Sequence, residues 1–430
     1  MRYDAINSEL FKLNRKNLVK ELKKNSLAVL TSNVAMPDSA DATFKWRQNP
    51  DLFYLTGIDQ EETFVLLFPD APAAEHREIL FIRQPNELLE TWEGKKLTKA
   101  EAQRISGIEE VRWSGEIFST LFALMHLADH VFLNTNEHDR ASWKVDTYEG
   151  KFAQRIRDAF PLHRYERLAP ILAELRMRKS TLEVGLLNRA IEITRLGFLR
   201  TLKFVKPGVF EYEVEAELTH EYLRNRATRH AYEPIVASGE NACFLHYNAN
   251  NAPCKSGDLL LMDCAAEYAN YCSDLTRTIP VSGKFTKRQK EVYNAVLRIH
   301  NAARDLMKPS INLYDFNKHI GELMEAELIK LKLLKAADVK KQDKKQPLFK
   351  KYFPHGTAHF LGLNTHDVGS RYHKIQAGAV LTCEPGIYIR EEKIGIRLEN
   401  NILVTKDKPI DLMANIPIEA DEIETLMNAK

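Results

Sequence analysis

What this chain lacks narrows its class before any motif is read. No apolar run in its 430 residues approaches the roughly 20 needed to span a bilayer, so no membrane partner is expected. The N-terminus, MRYDAINSELFKLNRKNLVKELKKN, mixes charges of both signs and has no apolar core or small-residue cleavage site. It reads as an amphipathic helix rather than a signal peptide. Net charge is small, +2, and no basic stripe is interleaved with aromatics, so nothing supports nucleic-acid binding. The one dense basic stretch, KKQDKKQPLFKKY at 340–352, reads as a solvated loop ahead of a binding patch. Cysteine is scarce and odd in number: Cys243, Cys254, Cys264, Cys272 and Cys383, with no CxxC pair. A cytoplasmic, reducing location with free thiols buried in strands follows from that pattern.

Repeats and low-complexity tracts are missing too. What is present is an ordinary globular composition, 44% hydrophobic and 28% charged, on a chain long enough for two cores. Segments 27–34, 63–68 and 78–83 are short, apolar and rich in branched residues, as strands are. The window 116–128 has helical periodicity, and 131–134 reads as another strand. Residues 1–172 are therefore expected to form an α/β domain. From 166 onward apolar residues recur at i, i+3, i+4 and i+7. A helix break near Lys179–Ser180–Thr181 precedes a long helix with a Ser/Thr N-cap and Glu183 in its first turn. Pro207–Gly208 ends that helix, EYEVEAELTHEYLRNRA begins another, and 286–306 is a third. The strand-like runs LLLMDCAAEY, SDLTRTIPV, AVLTCEPGIYI and KIGIRLENNILVT complete an α+β domain, 173–430, with a mostly antiparallel sheet.

Chemistry concentrates in that second half. Asp263 closes the very apolar strand LLLMD, where an uncompensated carboxylate is costly. Asp274 follows eleven residues later, and a hairpin turning near 267–270 would set the two across from each other. Two such carboxylates repel unless one is protonated or a cation lies between them. Unrelated aspartates at strand ends would serve this segment equally well. His355, His359 and His366 fall within twelve residues in HGTAHFLGLNTHDVG, where Gly356 and Gly362 argue against a helix. Glu384 ends an apolar strand in TCEPGIY. In GIRLENN, the two-residue period of a strand puts Arg397 and Glu399 on one face; alone, that pair reads as a surface salt bridge. Together, four carboxylates and a histidine form a hard, oxygen-rich set suited to two divalent ions. Such a centre makes hydroxide available near neutral pH, so amide or ester hydrolysis follows as the reaction class.

In order and spacing, Asp263, Asp274, His359, Glu384 and Glu399 resemble the five ligands of the pita-bread (creatinase/aminopeptidase) metallopeptidases. That family includes methionine aminopeptidases, prolidases and aminopeptidase P. SGENACFLHY, the Thr-Arg-Thr after the second aspartate, and SADATFKWRQNPDLFYLTGIDQEE resemble the aminopeptidase P branch in particular. The resemblance implies an α/β N-terminal domain plus a pita-bread catalytic domain. It implies a metal-bridging hydroxide that attacks the bond between a first residue and a proline in second position. Asp274 and Glu399 would bridge two ions, manganese first, cobalt or zinc as alternatives. Asp263 would bind one ion, and His359 with Glu384 the other. Glu384 would accept a proton, and His366 would stabilise the developing oxyanion. His246 and His355 would line the proline side, and Arg397 would orient Glu399 or relay protons. Asp41 and Trp92 match first-domain positions that reach a neighbouring subunit's site in some relatives, and a homodimer or homotetramer is expected. Two departures stand out: Cys264–Ala265 after the first aspartate, and Asn400–Asn401 where acidic residues are common. A prolidase limited to dipeptides is the alternative enzyme, and a non-catalytic peptide-binding module on the same fold the alternative class.

Overall fold

The computed structural model describes residues 3–138, 140–141 and 144–429. They form two compact units, Tyr3–Arg176 and Met177–Lys430. The boundary read from the sequence, at 172, falls inside the helix Ala169–Met177.

In the first unit, α1 (Glu9–Glu21) precedes a six-stranded mixed sheet. Its strands are β1 (Ser26–Thr31), β4 (Phe64–Leu67), β5 (Glu78–Ile82), β6 (Glu110–Trp113), β7 (His130–Leu133) and β8 (Arg164–Arg167); a small hairpin, β2 (Pro37–Ser39) with β3 (Ala42–Thr43), lies apart. The sheet order is β6-β5-β4-β1-β7-β8, with β4 antiparallel to β1 and β5, and the outer pairs parallel. Leu27, Val29, Phe64, Leu66 and Phe81 pack against Ile117, Leu121, Leu124, Phe152 and Ile156 in one core. This is the layered α/β domain that the alternating apolar segments imply.

In the second unit, α2 (Thr181–Phe204) begins where the sequence signals it. The Ser180 hydroxyl accepts from the Glu183 N–H, and the Glu183 carboxylate accepts from the Ser180 N–H. Next come α3 (Glu211–Arg224), α4 (Lys287–Leu306) and α5 (Leu313–Lys330). Every described strand pair in this unit is antiparallel. β10 (Ile235–Ser238), β11 (Leu259–Asp263) and β14 (Thr276–Pro280) form one sheet. β9 (Arg229–His230), β12 (Ala266–Tyr268) and β13 (Tyr271–Cys272) form another. β15 (Val380–Cys383) pairs with β18 (Asn400–Leu403), and β16 (Gly386–Ile389) with β17 (Ile394–Arg397).

Two local expectations change. The hairpin after Asp263 turns at Ala269–Asn270, both at positive φ, but the register partner of Asp263 is Thr276, not Asp274. GIRLENN is not one strand: β17 stops at Arg397 and β18 starts at Asn400, while Glu399 bridges back to Thr276. All five cysteines are buried and unbridged. The lysines of 340–352 are exposed, as a solvated loop requires, with Lys351 paired to Glu391. Among the described residues, no helix is long and apolar enough to cross a membrane.

Candidate active site

Strand ends deliver the acidic groups. Asp263 ends β11, Asp274 lies just before β14, Glu384 just after β15, and Glu399 just before β18. The backbone of Glu399 donates to the Thr276 carbonyl at 3.1 Å, and that of Glu384 to the Thr357 carbonyl at 2.9 Å. Ligand atoms of Asp274, His359 and Glu399 all lie within 4.8 Å of one another. His359 Nε2 is 3.4 Å from Asp274 Oδ2 and 3.5 Å from Glu384 Oε1. His359 Nδ1 contacts the Phe360 carbonyl at 3.0 Å. A carbonyl can only accept, so Nδ1 carries the hydrogen and Nε2 is the nitrogen turned to the carboxylates.

Arg397 and Glu399 are 4% and 2% exposed, so theirs is no surface pair. Arg397 Nη2 donates to Asp263 Oδ2 at 2.5 Å, and Nε donates to Thr276 Oγ1 at 3.1 Å. Thr276 in turn donates to Glu399 Oε2 at 2.6 Å. Arg397 therefore holds Asp263 directly and reaches Glu399 through Thr276. The second oxygen of Asp263 accepts from the Tyr232 hydroxyl at 2.5 Å.

The electrostatics are frustrated. Burial pushes the Asp274, Glu384 and Glu399 carboxyls up, and their neighbours' negative charge adds to it; Glu384 reaches about 7. Burial opposes charge on His359, yet its hydrogen bond to Asp274 and the charges of Glu384 and Asp274 outweigh it, raising the imidazole to about 8. Burial, then the Arg397 charge, hold His355 down at about 3, so it is neutral. Its Nδ1 donates to the Gly356 carbonyl, and its Nε2 accepts from the Tyr388 hydroxyl at 2.8 Å. Tyr388 itself accepts from Arg397 Nη1 at 2.8 Å.

Residues 185–406 match the model of metallopeptidase family M24, and 11–133 that of the aminopeptidase P N-terminal domain. The chain belongs to metallopeptidase family M24. It is a metal-dependent hydrolase of the aminopeptidase P branch, with the pita-bread fold. It is 34% identical to the Xaa-Pro aminopeptidase of Escherichia coli, over 99% of this chain and 98% of that one. Human Xaa-Pro aminopeptidase 3 is 28% identical, over 99% and 85%. A Bacillus anthracis structure assigned to aminopeptidase P superposes with a TM-score of 0.90 at 34% identity, covering 98% of each chain. Zinc-substituted E. coli aminopeptidase P in complex with product gives 0.88 at 32% identity, covering 99% of each.

Within this M24 domain, the His366 and His359 rings pack edge to face, centroids 4.4 Å apart. His366 and His246 are both exposed, and the charge of His246 bears on His355. Asp41 sits exposed in the turn of the β2–β3 hairpin, and Trp92 is 78% exposed on the helix Glu87–Glu93. Both belong to the first unit. Sequence reading missed Tyr232, Thr276 and Tyr388, and noted Asn401 only as a departure from the family pattern. Tyr388 lies on β16, four residues beyond Glu384 and across the Pro385 break. Asn401 clamps a candidate ligand's backbone: Oδ1 accepts from the Asp274 N–H at 3.1 Å, and Nδ2 donates to the Asp274 carbonyl at 2.6 Å. An acid there could not donate, which gives the Asn at this position its reason.

Proposed function

We propose that this chain is a dinuclear-metal aminopeptidase releasing the N-terminal residue from peptides with proline in second position. The observation that carries the metal half is the surplus of negative charge. Asp263, Asp274, Glu384 and Glu399 converge on one another, with Arg397 and the His359 imidazole as the cationic groups in contact with their side chains among the described residues. Three of the four carboxyls are driven towards protonation there. Divalent cations remove that penalty, and an oxygen-rich set with one imidazole suits manganese, with cobalt and zinc next. The orientation of His359 Nε2 towards Asp274 and Glu384 supports the same reading. Asp263, Asp274, His359, Glu384 and Glu399 would hold the ions. When bound, two such ions supply Lewis-acid polarisation of the scissile carbonyl and a water acidic enough to ionise near neutral pH.

The chain's own residues do the rest. Glu384 takes the proton of the attacking water and returns it to the leaving imino nitrogen. His366 donates a hydrogen bond to the carbonyl oxygen as negative charge develops on it. His355, neutral and fixed by Tyr388, lines the proline side with His246. Arg397 keeps Asp263 and, through Thr276, Glu399 in place.

The substrate half rests on the relatives, which are named for Xaa-Pro cleavage. Proline makes the scissile bond a tertiary amide without an N–H, and peptidases that grip an extended backbone fit it poorly. Subunits are expected to assemble as dimers or tetramers, in the cytoplasm. Elemental analysis after reconstitution with manganese tests the metal half: two equivalents per chain are expected. One equivalent or none, in correctly folded protein, contradicts it.

A further inference from the structure

Glu211 opens α3 and is fully buried. Its carboxylate accepts five hydrogen bonds. Oε1 takes them from the Ser238 N–H at 2.7 Å, the Ser238 hydroxyl at 2.7 Å and Asn241 Nδ2 at 3.1 Å. Oε2 takes them from the Tyr247 hydroxyl at 2.8 Å and the Ala252 N–H at 2.9 Å. All five donors are neutral, so hydrogen bonds and the positive end of α3 stabilise the charge. A carboxylate offers about four lone-pair sites, and this one is saturated.

All five donors come from the single segment 238–252, which carries His246 between its anchor points Asn241 and Tyr247. The Glu211 backbone joins in, its N–H donating to the Ala252 carbonyl at 3.0 Å. One turn along α3, Glu215 accepts from Asn250 Nδ2 at 2.8 Å, and Asn250 Oδ1 accepts from the Val236 N–H at 2.9 Å. On its other side the segment rests on β17, where a Cβ on Gly395 would stand 2.1 Å from the Ala242 carbonyl oxygen. β17 ends at Arg397, so the segment is wedged between α3 and a strand of the active site.

We propose that Glu211 is a positioning residue for the proline side of the substrate site, fixing segment 238–252 so that His246 meets the substrate. The proposal rests on the reading of His246 as a substrate contact. Glutamine is close in shape, but either orientation of its amide turns an NH2 group towards donors. At least one side of the hub is lost, and with it the fixed placement of His246.

The test uses the full manganese-loaded chain and an Xaa-Pro-Xaa tripeptide. kcat, KM and melting temperature are measured for Glu211→Gln, His246→Ala and the double variant. Glu211→Gln is expected to raise KM on the order of tenfold, with kcat held within about twofold. In the His246→Ala background it should add nothing further to KM. Tyr247→Phe removes one donor only; it should give a smaller rise, likewise absent with His246→Ala, and it decides the matter if Glu211→Gln does not fold. Multiplying effects of Glu211→Gln and His246→Ala would overturn the role of Glu211 alone. So would a lowered melting temperature with unchanged KM, the mark of a purely structural anchor. An unchanged KM in His246→Ala would instead remove the reading of His246, and the proposal with it.

Discussion

Lys179 Nζ lies 3.2 Å from Asp367 Oδ2, and both side chains are 1% exposed. Asp367 follows His366 directly, so this buried pair anchors the loop that presents the proposed oxyanion donor. The fit is tight: a Cβ on Gly362 would stand 2.3 Å from Asp367 Oδ2 and 2.9 Å from Lys179 Nζ. Removing Lys179 takes this ion pair away from a buried carboxylate. Lys179→Met is expected to cost about 3–5 kcal/mol of stability, read as a lower urea midpoint. Lys179→Met with Asp367→Asn should recover much of that loss. An unchanged midpoint in the single variant would show that the pair is solvated in solution.

His366 packs on His359, the imidazole turned towards Asp274 and Glu384. Replacing a single oxyanion-type donor costs about two to three orders of magnitude in rate. His366→Ala should therefore lower kcat by that much and leave manganese stoichiometry intact. Equal loss of metal and rate would make His366 a ligand instead.

Asn401 is buried and bonds the Asp274 backbone in both directions. Asn401→Asp keeps an acceptor, loses the donor to the Asp274 carbonyl, and adds a carboxylate behind an already crowded anionic pocket. A loss of about 1–3 kcal/mol is expected in the metal-free chain, measured by chemical denaturation with chelator present. A variant as stable as the parent would show that water replaces the lost donor.

His300 on α4 is 1% exposed, and neither ring nitrogen has a hydrogen-bond partner among the described residues. Burial, then the charges of Arg277 and Arg304, hold it down at about 3, against an unfolded value near 6.5. Between those values the unfolded chain binds a proton that the folded chain refuses. Its contribution is intact above about pH 6.5 and is lost as pH falls towards 3, by up to about 1.4 kcal/mol per pH unit. His355 acts in the same direction. His300→Leu should flatten the acid limb of a stability–pH curve by one proton's worth. An identical slope in the variant would refute the assignment.

Much of the fold and the acidic cluster was legible because each rests on a local signal. The Ser180–Glu183 capping box set the start of α2, an unbroken apolar run marked β11, and a mostly apolar one marked β15. A carboxylate at the end of an apolar strand is itself conspicuous. What was not legible depends on register and on distance along the chain. Asp263 and Asp274 were expected opposite each other, but the β11–β14 register pairs Asp263 with Thr276. Arg397 and Glu399 were expected on one strand, but a break at Leu398–Glu399 lets both reach Thr276 by separate routes. Glu211 gave no signal, since its donors lie 27 to 41 residues away and only the folded chain brings them to one carboxylate.

The proposed reaction is metal-dependent cleavage at an N-terminal Xaa-Pro bond. Product analysis on a matched pair, an Xaa-Pro-Xaa tripeptide and the corresponding Xaa-Pro dipeptide, tests it most directly, with manganese and after chelation. Release of the first residue from the tripeptide is expected, abolished by the chelator and restored by manganese. Cleavage of the dipeptide alone would make the enzyme a prolidase, and an intact tripeptide in the presence of metal-loaded chain would rule out the Xaa-Pro aminopeptidase activity.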